Sequence, residues 1–220
     1  MQINMTTFAG RKQQYIRETL ESLLASDWRQ TNSFVNLMVG SEDQSHLQDY
    51  LDHPAVRIVP WEGVLSDKMR TNCTLNKIRA LRYGGDGPGL TCEDDIIFPP
   101  NWFSSLSAAA AEMEGDDNYI MTLLVAIEHL EGARFVRGKT LVKKYPRYTL
   151  QGAQALYYPT RAIRLKLADY LETNLRSASG DDLIGRYARS YCGMYATKDS
   201  LVENIGAISC FHQRKGGRSS

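Results

Sequence analysis

The chain is organised around the stretch Gly89-Leu90-Thr91-Cys92-Glu93-Asp94-Asp95-Ile96-Ile97-Phe98-Pro99-Pro100. The run from Gly89 to Cys92 is too short for a helix, and it predicts a buried strand that ends in three acids. The two prolines that follow prevent a helix from starting at once. Three adjacent carboxylates repel one another, so one interpretation is a divalent cation that also holds substrate phosphates. The other interpretation is a solvated acidic turn.

The overall composition is that of an ordinary globular protein. The chain has 220 residues, of which 43% are hydrophobic and 23% charged, enough for one large domain. Its 26 Lys and Arg residues balance 25 Asp and Glu residues. Because this balance leaves no strong overall field, charge argues neither for nor against a nucleic-acid partner.

Neither a membrane span nor a zinc site is predicted. No apolar stretch reaches the roughly 20 residues that a transmembrane helix needs, and the first residues lack the basic start and apolar run of a signal peptide. The four cysteines (Cys73, Cys92, Cys192 and Cys210) are far apart in the sequence, without C-x-x-C spacing. They therefore predict reduced thiols and a cytoplasmic protein.

Strands and helices alternate through the first hundred residues. Hydrophobic periodicity predicts strands at 2–8, 34–39, 56–60 and 89–92, separated by helices at 13–25, 44–51 and 68–83. This order predicts βαβ units and a mostly parallel sheet. Ligands bind beyond the carboxyl ends of such strands. Ala9-Gly10-Arg11, Glu42-Asp43 and the three acids all fall at that edge, which suggests a cleft for a nucleotide and a metal.

The second half of the chain is less regular. We predict helices at 102–114, 161–172 and from Ser179 to about Ser190, and strands at 118–126, 153–158 and 191–197. The segment 134–150 is a predicted hairpin or long loop, either a solvated surface or a grip on an anionic acceptor or a diphosphate. Its basic residues are Arg134, Arg137, Lys139, Lys143, Lys144 and Arg147. We expect a single domain over 1–220, with a nucleotide-binding half (1–100), an acceptor-binding half (101–212) and a polar tail (213–220).

Four stretches, in their order along the chain, resemble motifs of the GT-A glycosyltransferases, the nucleotide-sugar-dependent class with a Rossmann-like sheet. The first strand and turn, 6–11, is similar to the nucleotide-binding turn of that class. Cys92-Glu93-Asp94-Asp95-Ile96 is similar to the Glu-Asp-Asp variant of the DxD motif in some N-acetylglucosaminyltransferases. The acidic pair in 180–184 matches the pair that opens a helix in inverting members. The run 200–206 resembles a late "LVQHIG"-like segment, with Asn204 in place of the more usual histidine.

The resemblance implies an α/β fold of GT-A type, with a mostly parallel sheet flanked by helices and a smaller mixed acceptor half. It also implies a hexosyl- or N-acetylhexosaminyl-transferase that uses Mn²⁺ or Mg²⁺. Asp95 would bind the metal directly, with Asp94 beside it and His212 as a second ligand. Glu93 and Asp94 would contact the sugar, the ribose or metal-bound water.

The acidic pair would supply the catalytic base. Asp182 is the first choice and Asp181 the second, and with Asp182 as the base the reaction would be a single displacement with inversion. Helix capping alone would also account for one of these acids. The residues expected to hold the nucleotide are Thr7, Ala9, Arg11 and Asp43 for the nucleoside, and Arg70, Asn72 and Lys77 for the diphosphate or uracil.

The sequence leaves two other functions open. A sugar-nucleotide nucleotidyltransferase shares the sheet, the metal and the nucleotide, although Ala9-Gly10-Arg11-Lys12 only faintly matches its glycine-rich loop. A non-catalytic binding module for an anionic polymer would use the basic segment 134–147 and leave the three acids without a role. The expected donor is a UDP-sugar, with GDP also open. The acceptor is a glycan, a lipid-linked sugar, a protein or a nucleic acid base, and the basic segment favours an anionic one.

Overall fold

The first half of the chain follows the predicted alternation. The structure is a computed structural model that describes residues 1–9, 14–31, 33–63, 65–125, 133–145, 150 and 153–206. Short 3₁₀ helices at Asp27–Thr31 and Ser45–Tyr50 flank the second strand. The other elements are β1 (Gln2–Thr7), α1 (Ile16–Ala25), β2 (Val35–Val39), β3 (Val56–Val59), α2 (Met69–Arg82), β4 (Gly89–Glu93) and β5 (Ile96–Ile97).

The second half supplies the remaining strands and three helices. The predicted hairpin is confirmed as two short antiparallel strands, and the strand expected over 118–126 is four residues long. The elements are α3 (Trp102–Glu112), β6 (Tyr119–Thr122), β7 (Arg134–Phe135), β8 (Val142–Lys144), β9 (Ala155–Tyr158), α4 (Arg161–Thr173), α5 (Gly180–Tyr191), β10 (Gly193–Thr197) and β11 (Glu203–Asn204).

Within the described residues, nine strands form one sheet in the order β3-β2-β1-β4-β9-β6-β10-β8-β7. The pairs among β3, β2, β1 and β4 are parallel, as is the pair of β6 with β10. Only β8 and β9 of these nine run against the rest. The predicted mostly parallel sheet is therefore confirmed, and β1 and β4 end at the same edge.

The sheet separates two hydrophobic cores because side chains alternate between its faces. In β9, Ala155 and Tyr157 belong to one core, and Leu156 and Tyr158 belong to the other. The first core contains residues of α1 and α3, and the second contains residues of α2, α4 and α5. Helices on both faces explain why β2 is buried along its whole length.

The basic hairpin of β7 and β8 lies at an edge of the sheet. Arg134 is paired with Lys144, and Phe135 with Lys143. The Lys143 ammonium lies 5.2 Å from the centre of the exposed Phe135 ring. Like charges directly opposite each other destabilise a strand pair, but charged edge strands also prevent edge-to-edge association. The hairpin alone therefore does not identify a partner, and Arg147 lies outside the described residues.

Two further expectations concern thiols and membranes. Among the described residues, Cys73, Cys92 and Cys192 form no disulfide, and Cys210 lies outside the described ranges. Among the residues that the structure describes, no helix is both long and apolar enough to span a bilayer.

Arg164 fastens the end of α2 to α4. It is 1% exposed, and its guanidinium donates to the carbonyl oxygens of Leu81 and Tyr83 at 3.3 and 2.9 Å. It also donates to the carbonyls of Gly85 and Gly87 at 2.6 and 3.4 Å. One buried side chain thus satisfies carbonyls in the turn that leads into β4.

We expect Arg164→Met to lower the free energy of unfolding by about 3 kcal/mol, since several charge-assisted hydrogen bonds are lost and the buried Leu81 carbonyl loses its partner on Arg164. Urea unfolding followed by circular dichroism measures this change. Arg161→Met on the same helix is the control, because Arg161 makes only an exposed ion pair with Asp86 and surface pairs contribute about 0–1 kcal/mol. Equal losses in the two variants would contradict this role of Arg164.

Candidate active site

Residues from all four sequence stretches meet where β1 and β4 end. The parallel register pairs Thr6 with Glu93, so Thr7 and the acids after β4 lie at the same edge of the sheet. Residues 203–204 also reach this edge, because β11 pairs with β5 directly after the acids. The start of α5 brings Asp181 to Lys77 and Glu93. We refer to Glu93, Asp94, Asp95, Asp181 and Lys77 as the acidic site.

Lys77 joins two carboxylates that are distant in sequence. Its Nζ lies 2.9 Å from Glu93 Oε1 and 2.8 Å from Asp181 Oδ1, and only 15% of its side chain is exposed. Burial lowers the pKa of Lys77, but the two carboxylates outweigh burial and the net pKa is raised. The ammonium therefore stays charged and is held by two acids.

The two carboxylates respond to this pairing differently. Burial raises the pKa of Glu93, and Lys77 opposes the shift only in part. Burial also tends to raise the pKa of Asp181, but attraction and hydrogen bonding from Lys77 lower it overall. Asp181 Oδ2 also accepts a long hydrogen bond of 3.4 Å from the Ala153 backbone N–H. Asp181 is thus held as a carboxylate at the edge of the site.

Asp94 points into the protein and is fully buried. Thr7 Oγ1 donates to Asp94 Oδ2 at 2.6 Å, and the same hydroxyl lies 3.1 Å from His46 Nε2. Thr19 Oγ1 donates to the Asp94 carbonyl at 2.9 Å and accepts from the Ile96 N–H at 3.2 Å. These contacts fix the backbone of the acidic turn, so Asp94 orients its neighbours.

Asp95 is covered by the late segment of the chain. The Ile205 N–H donates to the Asp95 carbonyl at 2.9 Å, and Asn204 pairs with Ile96. A Cβ added at Gly206 would lie 2.4 Å from Asp95 Oδ2. Glycine at this position therefore allows the backbone to pass close to the carboxylate, and the segment 203–206 helps to position Asp95.

Asp181 and Asp182 have different surroundings. Ser179 is the N-cap of α5, and its hydroxyl accepts from the Asp182 N–H at 3.2 Å and donates to Asp182 Oδ2 at 2.6 Å. The Ser-x-x-Asp spacing is that of a capping box, but the Asp182 carboxylate here accepts from the Ser179 hydroxyl in place of the Ser179 backbone N–H. Asp182 thus stabilises the helix start, whereas Asp181 contacts Lys77 beside Glu93.

The turns after β1 and β2 are tied together. The Ala9 N–H donates to Ser41 Oγ at 3.2 Å, and Ser41 Oγ donates to the Asp43 carbonyl at 2.9 Å. Asp43 accepts from the Ser45 N–H at 2.8 Å, and that hydrogen bond lowers the pKa of Asp43. Its exposed carboxylate lies beside the acidic site, while Arg11 falls outside the described residues.

The residues expected to contact the diphosphate have mixed placements. Arg70 is exposed at the start of α2. Asn72 is buried and grips the preceding loop, since it accepts from the Ser66 N–H and donates to the Ser66 carbonyl, both at 2.8 Å. Lys77 is engaged with the two acids described above. Arg70 is thus the member of this set whose side chain faces solvent.

Three residues outside the predicted site have structural roles. His46 and Thr19 carry little sequence signal, whereas Ser179 carries a local one. The sequence predicts His46 as a loop or surface residue, but it lies against Thr7 Oγ1, and burial lowers its pKa, in part against the effect of Asp43. Thr19 reads only as one position of an amphipathic helix. Ser179 could have been identified, because Ser-x-x-Asp before an apolar run is the capping-box pattern.

The acidic site fits a metal that shares its coordination shell with a substrate. The described residues contain no cluster of three or more His, Cys, Asp or Glu side chains that would hold an ion alone. Asp95 is partly exposed beside the buried Asp94, although its Oδ1 atom is itself buried. Mg²⁺ and similar ions often take one or two carboxylates and complete their shell with substrate phosphates. His212, the expected second ligand, lies outside the described residues.

Comparison with solved structures identifies the architecture. GalNAc-T7, solved with UDP, GalNAc and Mn²⁺, matches 93% of this chain at a TM-score of 0.63 and 10% identity. The chain has the GT-A fold. This GT-A match covers 42% of the GalNAc-T7 chain, so the chain spans less than half of that protein's length. At such low identity the similarity concerns the fold alone.

Two further structures share the GT-A architecture. The galactosyltransferase LgtC, solved with donor and acceptor sugar analogues, matches 89% of this chain and 73% of its own, at a TM-score of 0.52 and 11% identity. A nucleoside-diphosphate-sugar pyrophosphorylase from Vibrio cholerae matches 94% of this chain and 96% of its own, at 0.54 and 10%. No protein-family model matches the sequence, and no curated protein matches it either.

Proposed function

We propose that the protein is a metal-dependent glycosyltransferase that moves a sugar from a nucleoside-diphosphate donor, most simply a UDP-sugar, to a hydroxyl acceptor with inversion. One observation carries the proposal: three acids after β4 and Asp181 from α5 meet at the carboxyl edge of a GT-A sheet, and Lys77 joins Glu93 to Asp181. In open α/β sheets, ligands bind at this edge.

In this proposal, Asp95 and His212 hold Mn²⁺ or Mg²⁺ together with the donor diphosphate. The ion would stabilise the negative charge that grows on the departing diphosphate. Asp94, held by Thr7, fixes the acidic turn, and Glu93 faces the sugar or the ribose. Lys77 acts through Glu93 and Asp181, because its ammonium is already engaged by both.

The nucleoside would be held by the turns after β1 and β2. Thr7 ends β1 and Ala9 follows it, Arg11 comes next in the sequence among the candidates, and Asp43 lies in the second turn, where carboxylates commonly contact a ribose. Arg70 is exposed at the start of α2 and would reach the diphosphate or the base. Asn72 supports this arrangement indirectly, since its amide holds the loop before α2.

Asp181 is the proposed catalytic base. The acceptor hydroxyl loses its proton to the Asp181 carboxylate while its oxygen forms a bond to the anomeric carbon. The bond from that carbon to the diphosphate oxygen breaks, and the nucleoside diphosphate leaves with the electron pair. Attack opposite the leaving group inverts the anomeric centre. Asp182, the first choice from sequence, is engaged by Ser179 in the capping box.

Donor binding tests this proposal. We expect UDP with Mn²⁺ to raise the melting temperature of the wild type, because a ligand at 100 times its Kd stabilises the native state by about 2.7 kcal/mol. Asp95→Ala should lose the metal-dependent part of the rise. The assay is a thermal shift with UDP, GDP and UTP, each with and without Mn²⁺.

Asp52→Ala is the matched control, since Asp52 is an exposed acid next to β3 and should leave the shift intact. A rise in melting temperature with GDP and not with UDP would indicate a GDP-sugar donor and leave the proposed mechanism unchanged. The absence of a shift with any nucleotide, in folded wild type, would refute the proposed donor site.

A nucleotidyltransferase is the second candidate. The observation that favours it is the match to 96% of the Vibrio cholerae pyrophosphorylase chain. Such an enzyme would bind UTP in preference to UDP and release pyrophosphate from UTP and a sugar 1-phosphate. Pyrophosphate release under these conditions, without sugar transfer from UDP-sugars, would establish it in place of the glycosyltransferase.

A further inference from the structure

A cavity lies at the edge of the sheet opposite the acidic site. Its volume is about 880 Å³, within the roughly 300–1,000 Å³ typical of ligand pockets. Asn118 precedes β6, Tyr191 precedes β10, and Thr160 follows the antiparallel β9. The cavity is therefore lined where the parallel strands begin, whereas the acidic site lies where they end.

Three tyrosines from two helices form one side of this cavity. The ring centre of Tyr170 on α4 lies 5.5 Å from that of Tyr187 and 5.8 Å from that of Tyr191, and the two α5 rings are 5.3 Å apart. Tyr187 is buried, while Tyr191 is 60% exposed. Packing against two neighbours holds Tyr191 in place and still leaves most of it accessible, as in an aromatic platform.

Polar residues line the same cavity as these rings. Asp116 and Asp117 lie in the turn before β6, and Asp116 Oδ1 accepts from the Asn118 N–H at 3.0 Å. Asn118 Nδ2 donates to the Tyr191 carbonyl at 3.1 Å, which ties this turn to the end of α5. Burial raises the pKa of the Tyr187 phenol to about 12, so this hydroxyl stays protonated. The cavity thus combines acceptors, donors and a ring face.

We infer that this cavity is a saccharide-binding site, separate from the acidic site. A pyranose presents C–H groups on one face and hydroxyls around its rim. The exposed Tyr191 ring can stack on the C–H face of the sugar, and the carboxylates of Asp116 and Asp117 can accept hydrogen bonds from its hydroxyls. Lys166 lines the cavity as well, so two carboxylates and one ammonium leave it only weakly acidic, which fits an uncharged ligand. The rings are in mutual contact at 5.3–5.8 Å, which leaves no gap between them for a quaternary ammonium ion.

The inference does not depend on transferase activity. Its test is binding of chitotriose, cellotriose and maltotriose to the full chain, measured by saturation-transfer NMR and titration. We expect at least one of these probes to bind, and Tyr191→Ala to raise its Kd by about tenfold, the scale of one lost aromatic contact. Tyr191→Phe retains the ring and should bind within about twofold of the wild type.

Two control variants distinguish binding in this cavity from binding elsewhere on the protein. Phe135→Ala removes another exposed aromatic, on the basic hairpin, and should leave the Kd unchanged. Asp181→Asn, in the acidic site, should also leave it unchanged. Circular dichroism melting of each variant verifies folding.

The inference is overturned if none of the three probes binds the folded wild type, or if Tyr191→Ala binds as the wild type does. Loss of binding in Asp181→Asn, with Tyr191→Ala unaffected, would also overturn it and place the sugar in the acidic site. Nucleotide binding by the wild type is measured separately, so failure here leaves the proposed transferase function standing.

Discussion

Asp181→Asn is expected to lower kcat for sugar transfer by about 10²–10⁴-fold, the usual contribution of a general base. The substitution keeps the size of the side chain and removes its ability to take the acceptor proton. The reason for choosing Asp181 is geometric: it lies beside Glu93 through Lys77, and Lys77 holds its pKa down against the opposing effect of burial.

Asp182→Asn is the matched control for this prediction. Asp182 belongs to the capping box with Ser179, so its loss should cost about 1 kcal/mol of stability at most and change kcat by only a few-fold. Both variants are assayed for UDP release once a donor is identified, and donor affinity is measured in parallel. A large fall in kcat for Asp182→Asn, with Asp181→Asn nearly normal, would assign the base to Asp182 and contradict our choice.

Lys77→Met is expected to lower the free energy of unfolding by about 3–5 kcal/mol, because it removes the cation from a largely buried site that contains two carboxylates. The Lys77 side chain is 15% exposed and that of Glu93 is 24% exposed, so water only partly replaces the lost partner. Activity should fall as well, since neither Glu93 nor Asp181 would keep its position.

The double variant Lys77→Met with Glu93→Gln isolates the electrostatic cause. If unpaired charge is responsible, neutralising Glu93 should recover part of the lost stability, and the two substitutions will not be additive. Lys198→Met, at an exposed position, should change stability by less than about 0.5 kcal/mol. Urea unfolding of all variants provides the measurement. Full additivity of Lys77→Met and Glu93→Gln would contradict the proposed role of the ion pairs.

The helices and strands could be predicted from the sequence because the burial of one face or both produces their hydrophobic patterns. All five residues of β2 are buried and all but Asn36 are apolar, and such a nearly continuous apolar run is typical of a parallel strand covered on both faces. Parallel strands end at the same edge of a sheet, so the placement of Thr7 and the acids at one edge was predictable, whereas their direct contact depends on the pairing of β1 with β4.

The partners within the acidic site were not readable in this way. Lys77 and Asp181 are separated by 104 residues, and their contact depends on how α2 and α5 pack. The two-residue pairing of β11 with β5 is too short to leave a periodic signal. Only the distinction between Asp181 and Asp182 had a local signal, the Ser179 N-cap three residues before Asp182.

The strand order has a consequence for how the protein is made. Strand β9 joins β4 to β6, and β10 joins β6 to β8, although β9 and β10 are translated long after β4. A growing chain therefore carries β4 with one unpaired edge until residues 155–158 have been synthesised. The acidic site is completed later still, when 203–206 reach Asp95. A complete acidic site therefore forms only after nearly all of the described chain has been translated and folded.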